Sequence, residues 1–368
     1  MVNSKAISVI VVLIIIGAIG GYYYVGSQRS TPTTPTAPTT QSEMITVPSI
    51  MTVTTESTMS GATQFSSSTQ ALATGPVMIT VSGAFALYPL MVTWGEAYKS
   101  INPNVQVQVS AGGAGKGMSD VLGGLVDIGM VSRNISQAEL QRGAYPIEVA
   151  RGGVVAIINP SNPVLAQILS RGLSQSILTG IFIDGNVTTW GQAIGQPPSP
   201  NAPLQLSDKI DVYTRSDSSG AASSWAGYLG KTQEDLIGVG VFGDTGMLEA
   251  VQTDNLGIGF VNLPYAYDNA TGKQIAGIVV APLDLKNNGA LDSSEKFYDT
   301  RQALSSAVAS GVYPVRTDLY LVTKGKPTGA VKALMIWILS YGQKVVVAQG
   351  FVQLSATVIA REMAQLGS

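Results

Sequence analysis

From Pro76 to the C-terminus, short apolar runs alternate with stretches of helical spacing, and glycine-rich loops join them. That alternation predicts β–α–β units around a largely parallel sheet, because each strand must hand over to a helix that packs back on it. Val77–Val81 predicts a strand, SGAFALYP a loop, and the next residues a helix through Trp94, Ala97 and Tyr98. Val105–Val109 predicts the second strand, SAGGAGKG the loop after it, and residues around Met118–Leu125 a helix. Val126–Val131 reads as a third strand, with further strands at Val154–Ile158 and Leu319–Thr323 and helices at Val331–Leu339 and Gly342–Gln349. About 290 residues is more than one core usually serves, so two lobes with a cleft are expected. Lobe 1 is assigned to 76–158 plus 315–368 and lobe 2 to 159–314, with the Val154–Ile158 and Leu319–Thr323 strands as the two crossovers.

The part before Pro76 has a different character. Ala6–Val25 is apolar apart from Ser8 and the tyrosines at its end, long enough to span a bilayer, with Lys5 ahead of it. Residues 1–28 therefore read as a membrane anchor or signal segment. The Lys5–Ala6 junction resembles archaeal prepilin-like signals, which are cut before the apolar segment and keep it. Residues 29–75 are about half Thr and Ser, with the proline-rich TPTTPTAPTT, and read as an extended stalk that cannot bury a core. Three N-x-S/T sequons fall beyond it, at Asn134, Asn186 and Asn269. Anchor, stalk and lack of cysteine together place the globular part on the outer face of the cytoplasmic membrane, or free if the anchor is cleaved.

The 368 residues carry a formal net charge of −2 and contain neither Cys nor His. The charge argues against nucleic acid as a partner. Without Cys there is no disulfide framework or thiolate metal site, and without His the commonest general base and metal ligand are gone. No cofactor, metal site or catalytic residue is read from the chain.

The segment RSDSSGAASSWAGYLG, Arg215–Gly230, follows the apolar run Ile210–Tyr213. A strand ending at an arginine, then small hydroxyl residues and glycine, then a helix, gathers a guanidinium, hydroxyls and first-turn amides at one point. The first-turn N–H groups lack intrahelical partners and the helix dipole is positive there, so the point attracts anions. Asp217, two residues after Arg215, is expected to orient the guanidinium by a bidentate pair. With the glycine-rich loop SAGGAGKG, the pattern suits a receptor for a small anion.

Several segments in order, namely SGAFALYPLMVTWGEAY, SAGGAGKG, VDIGMVSR, VVAIINPSNPV, TRSDSSGAASSWAGYL, NLGIGFVNLPYAY and YPVRTDLYLVTKGKP, resemble the phosphate-binding receptors of ABC importers. The resemblance implies a type II periplasmic-binding-protein fold, two α/β lobes, each a mostly parallel sheet flanked by helices, joined by two hinge crossovers. It also implies a monomeric receptor that takes phosphate in the interlobe cleft and hands it to an ABC permease. The matching ligand positions are Phe85 and Ala86 in the first loop, Gly113, Ala114 and Gly115 in the second, and Ser132 and Arg133 in the third. The second lobe contributes Arg215, Asp217, Ser219, Gly220 and Ala221. Three family hydroxyls are missing, replaced by Phe85, Ala114 and Ala221. A hydrogen bond to a charged group contributes about 1.5–3 kcal/mol, so other donors are needed, with Ser110, Lys116, Ser132, Ser218 and Ser223 as candidates. Ser132 stands where many relatives have Asp; unless Asp217 or another acid faces the ligand, sulfate or molybdate should be tolerated beside phosphate.

The same residues fit other classes of protein less well. GGAGKG fails the nucleotide-binding P-loop pattern, because Gly117 follows Lys116 where Ser or Thr should ligate Mg²⁺. Ser293-Ser294-Glu295-Lys296 has the S-x-x-K spacing of a Ser–Lys hydrolase but sits in a charged stretch that reads as a solvated helix start. Tyr88, Trp94, Tyr98 and Trp190 read as packing rather than sugar platforms. The same fold binding sulfate, molybdate or tungstate, or a surface or signalling protein that has lost its ligand, completes the set.

Overall fold

The structure, a computed structural model, describes residues 76–196 and 208–367. The expected anchor and stalk lie outside the described residues. Among those described, no helix is long and apolar enough to cross a membrane.

The described residues form eleven strands: β1 Val77–Gly83, β2 Val105–Ala111, β3 Ile128–Val131, β4 Ala144–Ile158, β5 Leu173–Ser174, β6 Asp211–Arg215, β7 Val239–Val241, β8 Gly257–Asn262, β9 Val279–Val280, β10 Leu283–Asp284 and β11 Arg316–Lys324. Eight of them run in the order β2-β1-β3-β11-β4-β8-β6-β7, with β9 pairing on β4, while β10 and β5 form a separate pair. Parallel pairs lie on both flanks, β1 with β2 and β3 on one and β6 with β7 and β8 on the other. The middle is antiparallel, β3–β11, β11–β4 and β4–β8, within the largely parallel sheet that had been expected. The reason is connectivity: β4 carries the chain out of the first flank and β11 brings it back, so the two run in opposite directions side by side.

Two hydrophobic cores flank this middle. One gathers Ile79, Leu90, Trp94, Met130, Ile147, Leu321 and Ile338; the other gathers Val155, Ile157, Phe182, Trp225, Phe260 and Tyr313. Along β4 the buried residues change core between Ala150 and Val154, and on the return between Val315 and Leu319. β4 is buried almost throughout because it is central to both. Edge strand β2, by contrast, alternates half-buried and exposed positions.

Helices start and stop where local chemistry dictates. The helix Ala114–Gly123 opens after Gly113, whose φ of 94° disfavours any side chain, and closes at Gly124 in the left-handed conformation. The expected extension to Leu125 is cut there. The helix Gly220–Tyr228 is capped by Ser219, whose hydroxyl accepts from the Ala222 amide at 3.2 Å. Trp225 pins it down, stacking on Phe260 at 5.7 Å and meeting Phe182 edge-on at 5.5 Å. The Trp94 and Trp190 indoles are fully buried and donate to the Gly342 and Leu256 carbonyls, so they are packing residues.

Candidate functional site

β6 ends at Arg215 between the two cores, and the guanidinium is held from both ends. Nε donates to Asp217 Oδ1 at 2.8 Å and an Nη to Oδ2 at 2.9 Å, the two-point pair expected from their spacing. The other Nη donates to Asp244 Oδ2 at 3.2 Å. The Phe85 ring covers one face, its centroid 5.3 Å from the guanidinium carbon. Arg215 is 1% exposed and Asp244 is 0% exposed by side chain, so this cluster is dry. Burial works against the guanidinium charge, but the carboxylates of Asp244 and Asp217 outweigh it and raise its pKa.

Asp244 was not read from the sequence, nor was its support. Its carboxylate accepts from the Asn262 amide at 2.7 Å and from the Asn262 side chain at 2.9 and 3.0 Å. Gln233 is a third missed residue: Nε2 donates to the Asp217 carbonyl at 2.7 Å and Oε1 accepts from the Ser219 amide at 2.9 Å. It thereby braces the turn that opens the Gly220–Tyr228 helix. The acid in the turn after Phe242 and the polar residue closing β8 were the available signals, and neither names its partner.

The loops of the two cores meet over this cluster with almost no clearance. The Gly115 amide donates to the Ser218 carbonyl at 3.1 Å. A β-carbon on Gly115 would lie 2.3 Å from Ser218 Oγ, and one on Gly220 only 1.9 Å from Ser132 Oγ. Such contacts require glycine on one side of each. Tyr265 adds a latch, its hydroxyl donating to the Phe85 carbonyl at 3.0 Å. Burial, then the nearby Asp244 charge, push the Tyr265 pKa up, so the phenol stays a donor.

Most of the candidate residues are gathered here. Phe85, Gly113, Gly115, Ser132, Arg215, Asp217, Ser219 and Gly220 line the meeting of the loops. Ala86, Ala114 and Ala221 sit beneath it, buried in their own cores. Arg133 points elsewhere: it makes a two-point pair with Glu139 at 2.7 and 3.1 Å and faces a groove to one side. The Arg133 guanidinium holds the Glu139 carboxyl at about 2. Of the proposed substitute donors, Lys116 is tied to Asp120, Ser110 donates to the Val81 carbonyl and Ser223 to the Ser219 carbonyl. Ser132 and Ser218 remain. The condition set on Asp217 bears on this: its Oδ2 would lie 2.7 Å from a β-carbon on Gly113, so this acid faces the opposite loop. Ser293–Glu295 is a single helical turn whose Glu295 accepts from the Leu285, Lys286 and Asp292 amides, a structural role.

Among the described residues no cluster of acidic residues is arranged to hold a metal ion. A family model described as a PBP superfamily domain matches residues 33–341. The phosphate-binding protein PstS of Xylella fastidiosa (strain Temecula1) is 26% identical over 316 residues, 77% of this chain and 84% of that protein. PstS of Bacillus subtilis (strain 168) is 25% identical over 291 residues, 77% of this chain and 83% of that one. A solved structure with bound phosphate from Clostridium perfringens aligns at a TM-score of 0.60 with 22% identity, covering 76% of this chain and 100% of its own. An ABC-type phosphate transport receptor from Vibrio cholerae aligns at 0.54, with 22% identity, 75% and 100% coverage. At such identities the structural likeness carries the fold.

Proposed function

The chain belongs to the PBP superfamily, and from that we propose that it is a receptor that captures a tetrahedral oxyanion, phosphate first, between its two lobes. One observation carries the reading. The glycine-rich helix start Gly113–Gly115 closes on Asp217 and Ser218, and Gly220, opening the other core's helix, closes on Ser132, all beside a buried arginine. Backbone amides at helix starts bind anions without side chains, so hydroxyls missing at Phe85, Ala114 and Ala221 do not remove that mode, provided the Gly115 amide leaves the Ser218 carbonyl when the ion enters. The name phosphate-binding protein carried by the relatives supports phosphate as the ion.

Charge decides the form of the anion. Arg215 already faces two carboxylates, so a fully ionised oxygen here meets net negative charge, while an O–H on the ligand finds an acceptor. Phosphate and arsenate, which keep a proton near neutrality, are therefore favoured over sulfate. We assign residues 1–28 as a tether and 29–75 as a stalk that hold a single receptor outside the cytoplasmic membrane. The lobes 76–158 plus 315–368 and 159–314 close on the ion and present it to an ABC permease, without catalysis. Thermal melting of the purified protein with phosphate, arsenate, sulfate, molybdate and tungstate tests this. A ligand at a hundred times its Kd adds about 2.7 kcal/mol, a readable shift. Phosphate and arsenate should raise Tm above sulfate. No shift with any oxyanion would instead support the ligand-free reading, which the Phe85 ring over Arg215 favours. Turnover of p-nitrophenyl phosphate, abolished by one substitution at the site, would replace the receptor by an enzyme.

A further inference from the structure

A groove of about 830 Å³ opens beside the Arg215 cluster where the cores face each other. Ser218 belongs to both: its carbonyl takes the Gly115 amide at the seam, and its residue also lines the groove. Gln233 likewise braces the helix start and forms part of the groove wall. The volume is in the range of about 300–1,000 Å³ that holds a small organic molecule, rather than a bare inorganic ion.

The walls are hydroxyl-rich and close to neutral. Arg133 is paired with Glu139 and Arg316 with Asp318, and Lys231 and Glu234 add one charge of each sign, so the wall carries no net charge toward a second anionic group. Thr317 Oγ1 donates to Ser224 Oγ at 2.8 Å, and Ser223 Oγ donates to the Ser219 carbonyl at 3.0 Å. Each of these oxygens keeps acceptor capacity toward the groove. Such walls match a ligand whose own hydroxyls donate and accept.

We infer that the ligand is a phosphate ester of a small polyol or sugar. Its phosphoryl group sits at the Arg215 seam and its hydroxyl-bearing remainder lies in the groove. This rests on the oxyanion reading above and extends it. The bridging oxygen of an ester carries no charge, so it leaves the seam toward Ser218 without adding to the repulsion from Asp217 and Asp244. Groove contacts replace the side-chain donors that Phe85, Ala114 and Ala221 no longer supply.

Gly227 makes the test clean. It lines the groove on the outer face of the Gly220–Tyr228 helix, and a β-carbon there meets nothing within 4 Å. Gly227→Phe should fill the groove without disturbing the seam, and Gly227→Ala serves as the control for the backbone change. The full-length protein is titrated calorimetrically with inorganic phosphate, sn-glycerol 3-phosphate, glucose 6-phosphate, glycerol and glucose. At least one ester should bind tighter than inorganic phosphate by about tenfold or more, and Gly227→Phe should erase that gain while phosphate affinity stays put. Phosphate binding with esters equal or weaker would overturn the inference and leave the receptor reading standing. Binding of glucose or glycerol as tight as their esters would overturn it too, as would an ester advantage that survives Gly227→Phe. Heat from none of the five ligands would remove both readings together.

Discussion

Removing the Arg215 side chain would leave Asp217 and Asp244 as unpaired carboxylates in a place closed to water. Breaking a buried pair from one side costs about 3–5 kcal/mol, so Arg215→Ala should lower stability by that much in denaturant unfolding. Arg215→Lys should recover less than half, because a point charge cannot span both carboxylates. An Ala variant as stable as the parent would show that the trio is not held as described. Phe85 is the opposite case, a residue whose removal should help binding. Phe85→Ser uncovers the guanidinium face and adds a donor, and a hydrogen bond to a charged group contributes about 1.5–3 kcal/mol, roughly tenfold or more in phosphate affinity. Weaker binding in a calorimetric titration would mean that the ring itself shapes the site. Arg215 and Asp217 were legible in the sequence because a spacing of two at a strand exit leaves them little choice of partner. Asp244 was not, since only the pairing of Arg215 with Val241 across β6 and β7 brings the following helix start beside the guanidinium.

At the level of single elements, the short helix Gln137–Gln141 is fixed by a capping box, Ser136 and Glu139, with Arg133 reaching in from the end of the preceding strand. Glu139 has its pKa lowered from 4.5 to about 2, chiefly by Arg133. A carboxylate depressed in the folded state stabilises above its unfolded pKa, and that contribution is lost as pH falls through the folded value. Glu139→Gln should therefore be less stable than the parent by about 1–2 kcal/mol near neutrality, with the gap closing between pH 4.5 and 2. Urea midpoints across that range check it, and a gap independent of pH would assign the loss to shape instead of charge. Elements were the most legible part of the chain, because periodicity and caps are local. The antiparallel centre was not, since the direction of β4 against β11 depends on how often the chain crosses between cores.

Across the whole molecule, the two cores share a sheet but bury separate sets of side chains, and Gly152 and Gly153 lie where β4 passes from one to the other. On the proposed reading, an ion would enter the seam only if the cores separate and be retained only if they meet again. The close approach of Gly220 to Ser132 makes that meeting testable, because a β-carbon at 220 would stand 1.9 Å from Ser132 Oγ and 2.1 Å from its carbonyl oxygen. Gly220→Ala should fold, since each core keeps its own packing, but hold the cores apart. The glycine itself was legible as part of a helix start, while its role as a contact between cores was not, since residue 132 lies on another element of the chain. The direct measurement is a calorimetric titration of the parent and Gly220→Ala with phosphate, run in parallel. Capture at the seam predicts one saturable site per chain in the parent and an affinity about tenfold or more weaker in the variant. Equal binding by both, or no heat from the parent, would contradict it.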